Sequence, residues 1–150
     1  MHVLREDADG NIWVGTRHYG VWKYQSDKDN FLPCTSVPGS YPTVAPLLGS
    51  NSSVLSIEPS INNDSIIWAG TVGGLQEINR FTGSVKWHVF PQKDKDYQVA
   101  VNAVRRMHHH SDGLLYLGGW TAGLHVFDPA TGILQPVPVS KRWGIFSKPP

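Results

Sequence analysis

The chain has 150 residues, with 13 Lys or Arg against 12 Asp or Glu and a formal net charge of +1. This balance gives no basic field of the kind that nucleic-acid binding needs. No stretch approaches the ~18 apolar residues of a membrane span. The single cysteine, Cys34, excludes an internal disulfide. We therefore expect this segment to contact neither nucleic acid nor a membrane, and we expect no cofactor.

One stretch of sequence occurs three times. It reads DGNIWVGT at residues 9–16, DSIIWAGT at 64–71 and DGLLYLGG at 112–119. A shorter piece follows each copy: GVWKY at 20–24, GLQEI at 74–78 and GLHVF at 123–127. A repeat of roughly 40–50 residues that contains only strand patterns is typical of propeller blades.

Each repeat predicts four short strands. In chain order they lie at 3–6, 11–16, 21–24 and 31–35, then at 54–57, 66–71, 75–78 and 85–90, and last at 101–104, 114–119, 124–127 and 133–137. Asp-Gly and similar pairs separate them, as tight turns require. Four prolines between residues 33 and 53 indicate a loop between blades, since proline cannot donate to a strand ladder. No helix of normal length is predicted.

The second strand of each repeat is apolar on both faces, which indicates a sheet packed between two others. We interpret the large rings of Trp13, Trp68 and Tyr116 as filling equivalent positions between blades. We interpret Gly15, Gly70 and Gly118 as making room for these rings. A generic β-sandwich core is the alternative interpretation.

The predicted fold class is therefore all-β, a β-propeller fragment of about three four-stranded antiparallel blades. Blade 1 covers about residues 1–36, blade 2 about 53–90 and blade 3 about 99–138. Complete propellers have roughly 4–8 blades. We therefore expect a piece of a longer protein, in which the remaining blades cover the apolar outer faces of blades 1 and 3.

The string EDADGNIWVGTRHYGVWKY at residues 6–24 resembles the two-component regulator propeller repeat. The second copy is similar through Asp64, Trp68, Gly70 and Thr71. The third copy is weaker, because Tyr116 replaces the Trp and Gly119 replaces the Thr.

The resemblance implies a function. Such repeats form the periplasmic sensor region of hybrid two-component histidine kinases, inner-membrane phosphorelay proteins of Bacteroidetes that respond to oligosaccharides. This chain would then be a ligand-sensing module and not an enzyme. Any kinase activity would belong to the parent protein, which could form a dimer. Two alternatives remain: a fragment of a glycan-active propeller enzyme, and a protein-interaction propeller.

The loop between the second and third strands is the candidate ligand site. It holds Arg17, His18 and Tyr19 in the first copy, and Trp120 and Thr121 in the third. Flat sugar faces stack on aromatic rings, and hydroxyls accept hydrogen bonds from guanidinium groups. The alternative is that these are ordinary turn residues.

Two other patterns are set aside as sites. The run His108-His109-His110 suggests a metal, but alternate residues of an extended segment point to opposite faces, so we predict a turn insertion and no metal site. Asp7 and Asp9 lack the later glutamate of a calcium loop and are interpreted as an acidic turn. No catalytic constellation is identified.

Overall fold

The computed structural model describes residues 3–36, 53–119 and 121–138. Within these ranges the chain forms three consecutive antiparallel sheets, which we call blades 1, 2 and 3. Blade 1 contains β1 (Val3–Glu6), β2 (Ile12–Gly15), β3 (Val21–Gln25) and β4 (Asn30–Pro33). A two-residue strand, β5 (Thr35–Ser36), follows it.

Blade 2 contains β6 (Val54–Pro59), β7 (Ile66–Thr71), β8 (Gly74–Asn79) and β9 (Ser84–His88). Blade 3 follows a helix, α1 (Lys95–Asn102), and contains β10 (Arg106–His109), β11 (Leu115–Gly118), β12 (Leu124–Asp128) and β13 (Ile133–Pro136). In each blade, neighbours in sequence are neighbours in the sheet. β5 adds a fifth strand to blade 2 because it pairs in parallel with β9.

The middle blade is buried on both faces, as its second strand predicts. Ile67 and Ala69 of β7 pack with Trp13 of blade 1. Trp68, on the opposite face of the same strand, packs with Leu115 and Phe127 of blade 3. In the outer blades only one face of the second strand is buried. The alternation of β7 therefore divides the core into two interfaces, one on each side of blade 2.

The three ring residues hold one register position. Trp13 pairs with Lys23, Trp68 with Glu77 and Tyr116 with Val126. Trp13 and Trp68 are almost fully buried between blades. Tyr116 is only half-buried and its hydroxyl donates to Asp112 Oδ2. The prediction that the three rings hold equivalent positions is confirmed. The ring is buried in blades 1 and 2, for which the structure describes the following blade.

Gly15 and Gly70 make room for the residues at which the next blade begins, not for a ring. A Cβ built on Gly15 would lie 2.7 Å from Cγ1 of Val54, and one on Gly70 would lie 2.5 Å from the carbonyl oxygen of Val104. On Gly118 the nearest atom would be 3.7 Å away, an ordinary contact. The close approach thus occurs at the two interfaces that the structure describes.

The largest departure from the sequence prediction is at the start of blade 3. The predicted first strand at 101–104 is wrong, and so is the expectation of no helix, because residues up to Asn102 lie in α1 and the strand begins at Arg106. Asp94 caps the helix by accepting from the N–H of Tyr97 at 2.8 Å. The Asn102 side chain holds its end by donating to the carbonyl oxygens of Phe90 and Gln98. No helix among the described residues is long and apolar enough to cross a membrane.

Candidate functional site

The predicted loop of blade 1 is a tight turn that presents its side chains to solvent. Thr16 braces it: the hydroxyl donates to the carbonyl oxygen of Gly20 at 2.8 Å and accepts from the N–H of Tyr19. Arg17, His18 and Tyr19 are all exposed, and the Tyr19 side chain is 77% accessible. The rings of His18 and Tyr19 meet edge to face, 6.5 Å apart. The structure therefore groups these three residues as a solvent-facing set.

The corresponding loop of blade 3 begins with the same backbone bond, here from Gly119 N–H to the Gly123 carbonyl oxygen. Thr121 is exposed. Trp120 lies outside the described residues. Both loops leave the same end of their blades, but among the described residues no hydrogen bond or ring contact joins them. The five-residue site therefore stays a prediction.

An ion-pair cluster lies at the opposite end of blades 1 and 2. Arg80, in the turn between β8 and β9, is 3% exposed. Its Nη1 lies 2.5 Å from Asp9 Oδ2, and its Nη2 lies 2.6 Å from Asp64 Oδ2. Its Nε donates to the carbonyl oxygen of Asp64. One guanidinium thus joins the first turn of blade 1 to that of blade 2.

The Asp7 carboxylate connects this cluster to the core. It accepts from Trp13 Nε1 at 2.9 Å, from the N–H and side-chain amide of Asn11, and from the N–H of Asp9. Burial of the carboxyl acts to raise its pKa, but these hydrogen bonds outweigh burial, so the pKa of Asp7 lies below its usual value. Asp7 is therefore an ionised, buried acceptor at neutral pH, with Arg80 Nη1 3.6 Å from it.

Lys23 completes the contact between blades 1 and 2. Its ammonium donates to the carbonyl oxygen of Arg80 at 2.8 Å and lies 5.5 Å from the centre of the Trp13 ring. Such a cation over an indole face is attracted by the ring's electrons. Trp13, Asp7, Lys23 and Arg80 therefore each have a polar partner at this end of the interface.

The same end of the interface between blades 2 and 3 holds a cavity instead. Its volume is about 270 Å³ and it is partly open to solvent. Its wall includes the Trp68 ring together with Ser60, Asn62, Asn63, Ile66, Glu77 and Pro129. Trp68 is 3% exposed, and its Nε1 has no hydrogen-bond partner among the described residues. An indole N–H only donates, so this interface contains a buried donor that lacks an acceptor among the described residues.

Glu77 supplies a negative charge to this cavity. Its Oε2 lies 2.8 Å from His88 Nε2 and 4.0 Å from the Lys86 ammonium. The hydrogen bond with His88 lowers the pKa of Glu77, against the opposing effect of burial. The carboxylate is therefore ionised at neutral pH.

The prediction that the histidine run lies in a turn is wrong for His108 and His109, while His110 does begin the turn. His108 and His109 belong to β10, because α1 moves the start of the strand further along the chain. His109 is buried, accepts from the Ile61 N–H at its Nδ1, and has its Nε2 3.2 Å from the Gly113 carbonyl oxygen. His108 and His110 meet on the other face, as the alternation predicts. His109 thus joins the turns of blades 2 and 3.

The half-buried Cys34 thiol lies where thiolate chemistry is suppressed. Desolvation raises its pKa to about 12, with only a small opposing effect of Lys23. The thiol is therefore protonated at neutral pH, which makes it a poor nucleophile.

The residues match a known repeat family. Residues 1–18 match the model described as two component regulator propeller. This match covers the first copy of the repeated stretch. No curated protein sequence matches it.

Solved structures from B. thetaiotaomicron share the fold. The extracellular domain of the candidate hybrid two-component system BT3049 is 21% identical, with a TM-score of 0.60 over 89% of this chain. The extracellular domain of BT4673, described as a candidate one-component or hybrid two-component system, is also 21% identical, with TM-scores of 0.66 and 0.65 over 94% and 93% of this chain. This likeness concerns the fold, and the predicted all-β propeller fragment is confirmed. The chain spans only 16–17% of the length of those structures.

Proposed function

We propose that this propeller fragment belongs to the periplasmic, ligand-sensing part of a two-component signalling protein, a hybrid histidine kinase that responds to an oligosaccharide. The observation that carries the proposal is the DGNIWVGT repeat on a propeller blade. The family model covers its first copy, and the fold is similar to extracellular domains of candidate two-component systems. The chain itself performs no chemistry in this proposal.

The form of the blades supports a sensor. Loops braced by Thr16 and Thr71 sit on rigid sheets, and binding residues concentrate on such loops. Arg17, His18 and Tyr19 offer two rings and a guanidinium at one loop tip, which suits the apolar faces and hydroxyls of a sugar. In a propeller the other blades complete such a surface, and these blades are the partners that we expect for this chain.

The parent protein tests the sensor proposal directly. We expect its coding sequence to continue into an immunoglobulin-like domain, a membrane helix and kinase and receiver domains. Cells that carry it should activate a transcriptional reporter when given the oligosaccharides of one polysaccharide. A parent that instead joins the propeller to a domain with paired catalytic carboxylates would support the glycan-active enzyme.

The predicted loop site is tested by one pair of variants in the complete sensor domain. Trp120→Ala should weaken oligosaccharide binding by about tenfold, because a stacked ring is lost. Lys93→Ala, which removes an exposed charge between blades 2 and 3, should change affinity less than about threefold. Titration calorimetry measures both. Unchanged affinity in both Trp120→Ala and Tyr19→Ala would remove this face from the binding surface.

A further inference from the structure

Two histidines of the run at 108–110 project from one face of blade 3. His108 and His110 lie on either side of the buried His109 in the sequence, and the centres of their rings are 6.1 Å apart. Their side chains are 68% and 50% accessible. Alternate residues of an extended segment share a face, so the chain presents two neighbouring imidazoles to solvent.

A carboxylate lies beside the same nitrogen of each ring. His108 Nδ1 is 3.6 Å from Glu58 Oε1, and His110 Nδ1 is 3.2 Å from Asp112 Oδ2. A histidine that binds a metal through one nitrogen commonly donates its other N–H to a carboxylate, which fixes the tautomer and raises the basicity of the ligand. Both rings have such a partner at Nδ1, and both are therefore suited to bind a metal through Nε2.

Each carboxylate is itself held in place. Arg5 Nη2 donates to Glu58 Oε2 at 3.1 Å, which leaves Oε1 for the histidine. Asp112 accepts from the Leu114 N–H and from the Tyr116 hydroxyl. The hydrogen bond from Leu114 is the main reason why the pKa of Asp112 lies below its usual value. The two acceptors are therefore oriented before any metal binds.

The spacing of the rings suits one shared ion. Bonds of about 2.0–2.1 Å to the two Nε2 atoms place the ring centres at most roughly 6.4 Å apart, and closer when the bonds are bent. The observed separation of 6.1 Å is within that reach. Because both side chains are exposed, they can change rotamer without disturbing the core.

Metal binding would also change one hydrogen bond. His110 Nδ1 accepts from the Asp112 N–H at 3.3 Å. With a metal on Nε2 the proton of the neutral ring is on Nδ1, which then donates to Oδ2 of the same aspartate. The arrangement thus provides a partner for Nδ1 in both states.

We propose that His108 and His110 bind one divalent transition-metal ion through their Nε2 atoms, with Glu58 and Asp112 as the outer acceptors. Imidazole suits Zn²⁺, Ni²⁺ and Cu²⁺, whereas Mg²⁺ and Ca²⁺ prefer oxygen ligands. No group of three or more His, Cys, Asp or Glu among the described residues is placed to hold a metal. The site is therefore open, with water in the remaining coordination positions, and differs from a closed structural zinc site.

The sequence alone favours no metal here, because a closed site needs three or four converging ligands. The two outer carboxylates become visible only in the structure, since Glu58 belongs to blade 2 and the histidines to blade 3. The site lies at the opposite end of blade 3 from Thr121. It does not rest on the proposed sensor function. In a longer parent a following blade would meet this face, so the site would lie between two blades.

Titration calorimetry of the 150-residue chain without an affinity tag tests the site. Zn²⁺ and Ni²⁺ should each bind one ion per chain, and Mg²⁺ and Ca²⁺ at equal concentration should give no saturable heat. His108→Gln and His110→Gln should each weaken Zn²⁺ binding by about tenfold or more, because the remaining imidazole has no linked second ligand. His18→Gln, which removes an exposed histidine from another loop, is the matched control and should leave the affinity unchanged. Absence of one-to-one Zn²⁺ binding, or equal losses in all three variants, would overturn the proposal.

The outer carboxylates give an independent test. Asp112→Asn keeps an oxygen for the Leu114 N–H but removes the charge, and it should weaken Zn²⁺ binding about tenfold, the lower end of the ~10–100-fold effect of such partners. Glu58→Gln should act in the same direction. Asp128→Asn is the matched control, because Asp128 accepts from the Ala130 N–H in another turn of blade 3. An equal loss in Asp112→Asn and Asp128→Asn would mean that general negative charge attracts the ion, and the assigned site would be wrong.

Discussion

The two interfaces share a framework and differ in what fills it. Each is built on a buried tryptophan at the same register position of the second strand. Beside Trp13 the Asp7 carboxylate accepts from the indole and lies 3.6 Å from the Arg80 guanidinium, and Lys23 donates to the Arg80 carbonyl oxygen. Beside Trp68 their counterparts are Ser60, Glu77 and Pro129, which line a cavity.

Strand register and the side chains that fill the interface are therefore specified by different residues. The DGNIWVGT pattern sets strand pairing and the placement of the ring. Three positions outside this pattern decide whether charged side chains fill the interface or a cavity remains. Substitutions at the two tryptophans and at these positions test that separation.

Removing either indole should have the largest effect. Trp68→Ala should lower the free energy of unfolding by about 3–5 kcal/mol, the range for deleting a buried large ring. Trp13→Ala should reach the upper end of that range, since it also takes a donor from the buried Asp7 carboxylate. Urea denaturation of the complete propeller measures both. A loss below 1 kcal/mol for Trp68→Ala would mean that its ring is not packed between blades.

Arg80→Met should affect only the interface between blades 1 and 2. It leaves Asp7 without its nearby cation, so we expect a loss of about 2 kcal/mol. This is less than the ~3–5 kcal/mol for breaking a fully buried pair, because the side chains of Asp9 and Asp64 are largely exposed. Lys86→Met is the control: that lysine is two-thirds exposed, and its ion pair should contribute under about 0.5 kcal/mol. Equal losses in the two variants would show that Arg80 does not join the blades.

Local periodicity is sufficient to predict the second and third strands of each blade. Alternation and turn residues place the second and third strands of all three blades within one residue of their bounds. The start of blade 3 was missed because residues 95–102 carry no strong apolar period. There the Asp94 cap and the Asn102 side chain stabilise a helix through hydrogen bonds, and apolar periodicity gives no information about such bonds.

The inter-blade chemistry could not be predicted in the same way. Arg80 lies in a turn of one repeat and its partners Asp7 and Asp9 lie in another, so only the angle between sheets brings them together. One signal in the sequence was the acidic pair Asp7 and Asp9 close to the repeated Trp13, which indicates a basic partner elsewhere in the chain. Pro129 in place of Arg80 is visible when the third-to-fourth turns are aligned, but its consequence, a cavity, needs the packed structure.

Ser60→Asp should convert part of the second interface into the first. The new carboxylate would stand at the position of Asp7 and accept from the Trp68 indole, but it would also lie near the carboxylates of Glu77 and Asp128, so the free energy of unfolding should change by less than about 1 kcal/mol. The ¹⁵N resonance of that indole should move downfield without any added ligand. Ser65→Asp, in the same turn but outside the cavity lining, is the matched control. If the resonance does not move, a carboxylate at position 60 does not contact the Trp68 indole in the way that Asp7 contacts the Trp13 indole.

The smallest expected effect is the pH dependence that Asp7 gives to the first interface. Hydrogen bonds from Trp13, Asn11 and Asp9, acting against burial, hold the folded-state pKa of Asp7 below its unfolded value. The stabilisation is therefore complete above the unfolded pKa and is lost as pH falls through the folded one. Glu77 also has a lowered pKa, so the chain as a whole loses stability in acid. Asp7→Asn keeps an acceptor for the indole but cannot titrate, and the difference between the wild-type and variant stability curves isolates Asp7. That difference should shrink from neutral pH toward pH values below the usual range of a carboxyl group. A difference that stays constant over this range would mean that Asp7 supports Trp13 as a neutral acceptor, and that charge does not distinguish the two interfaces.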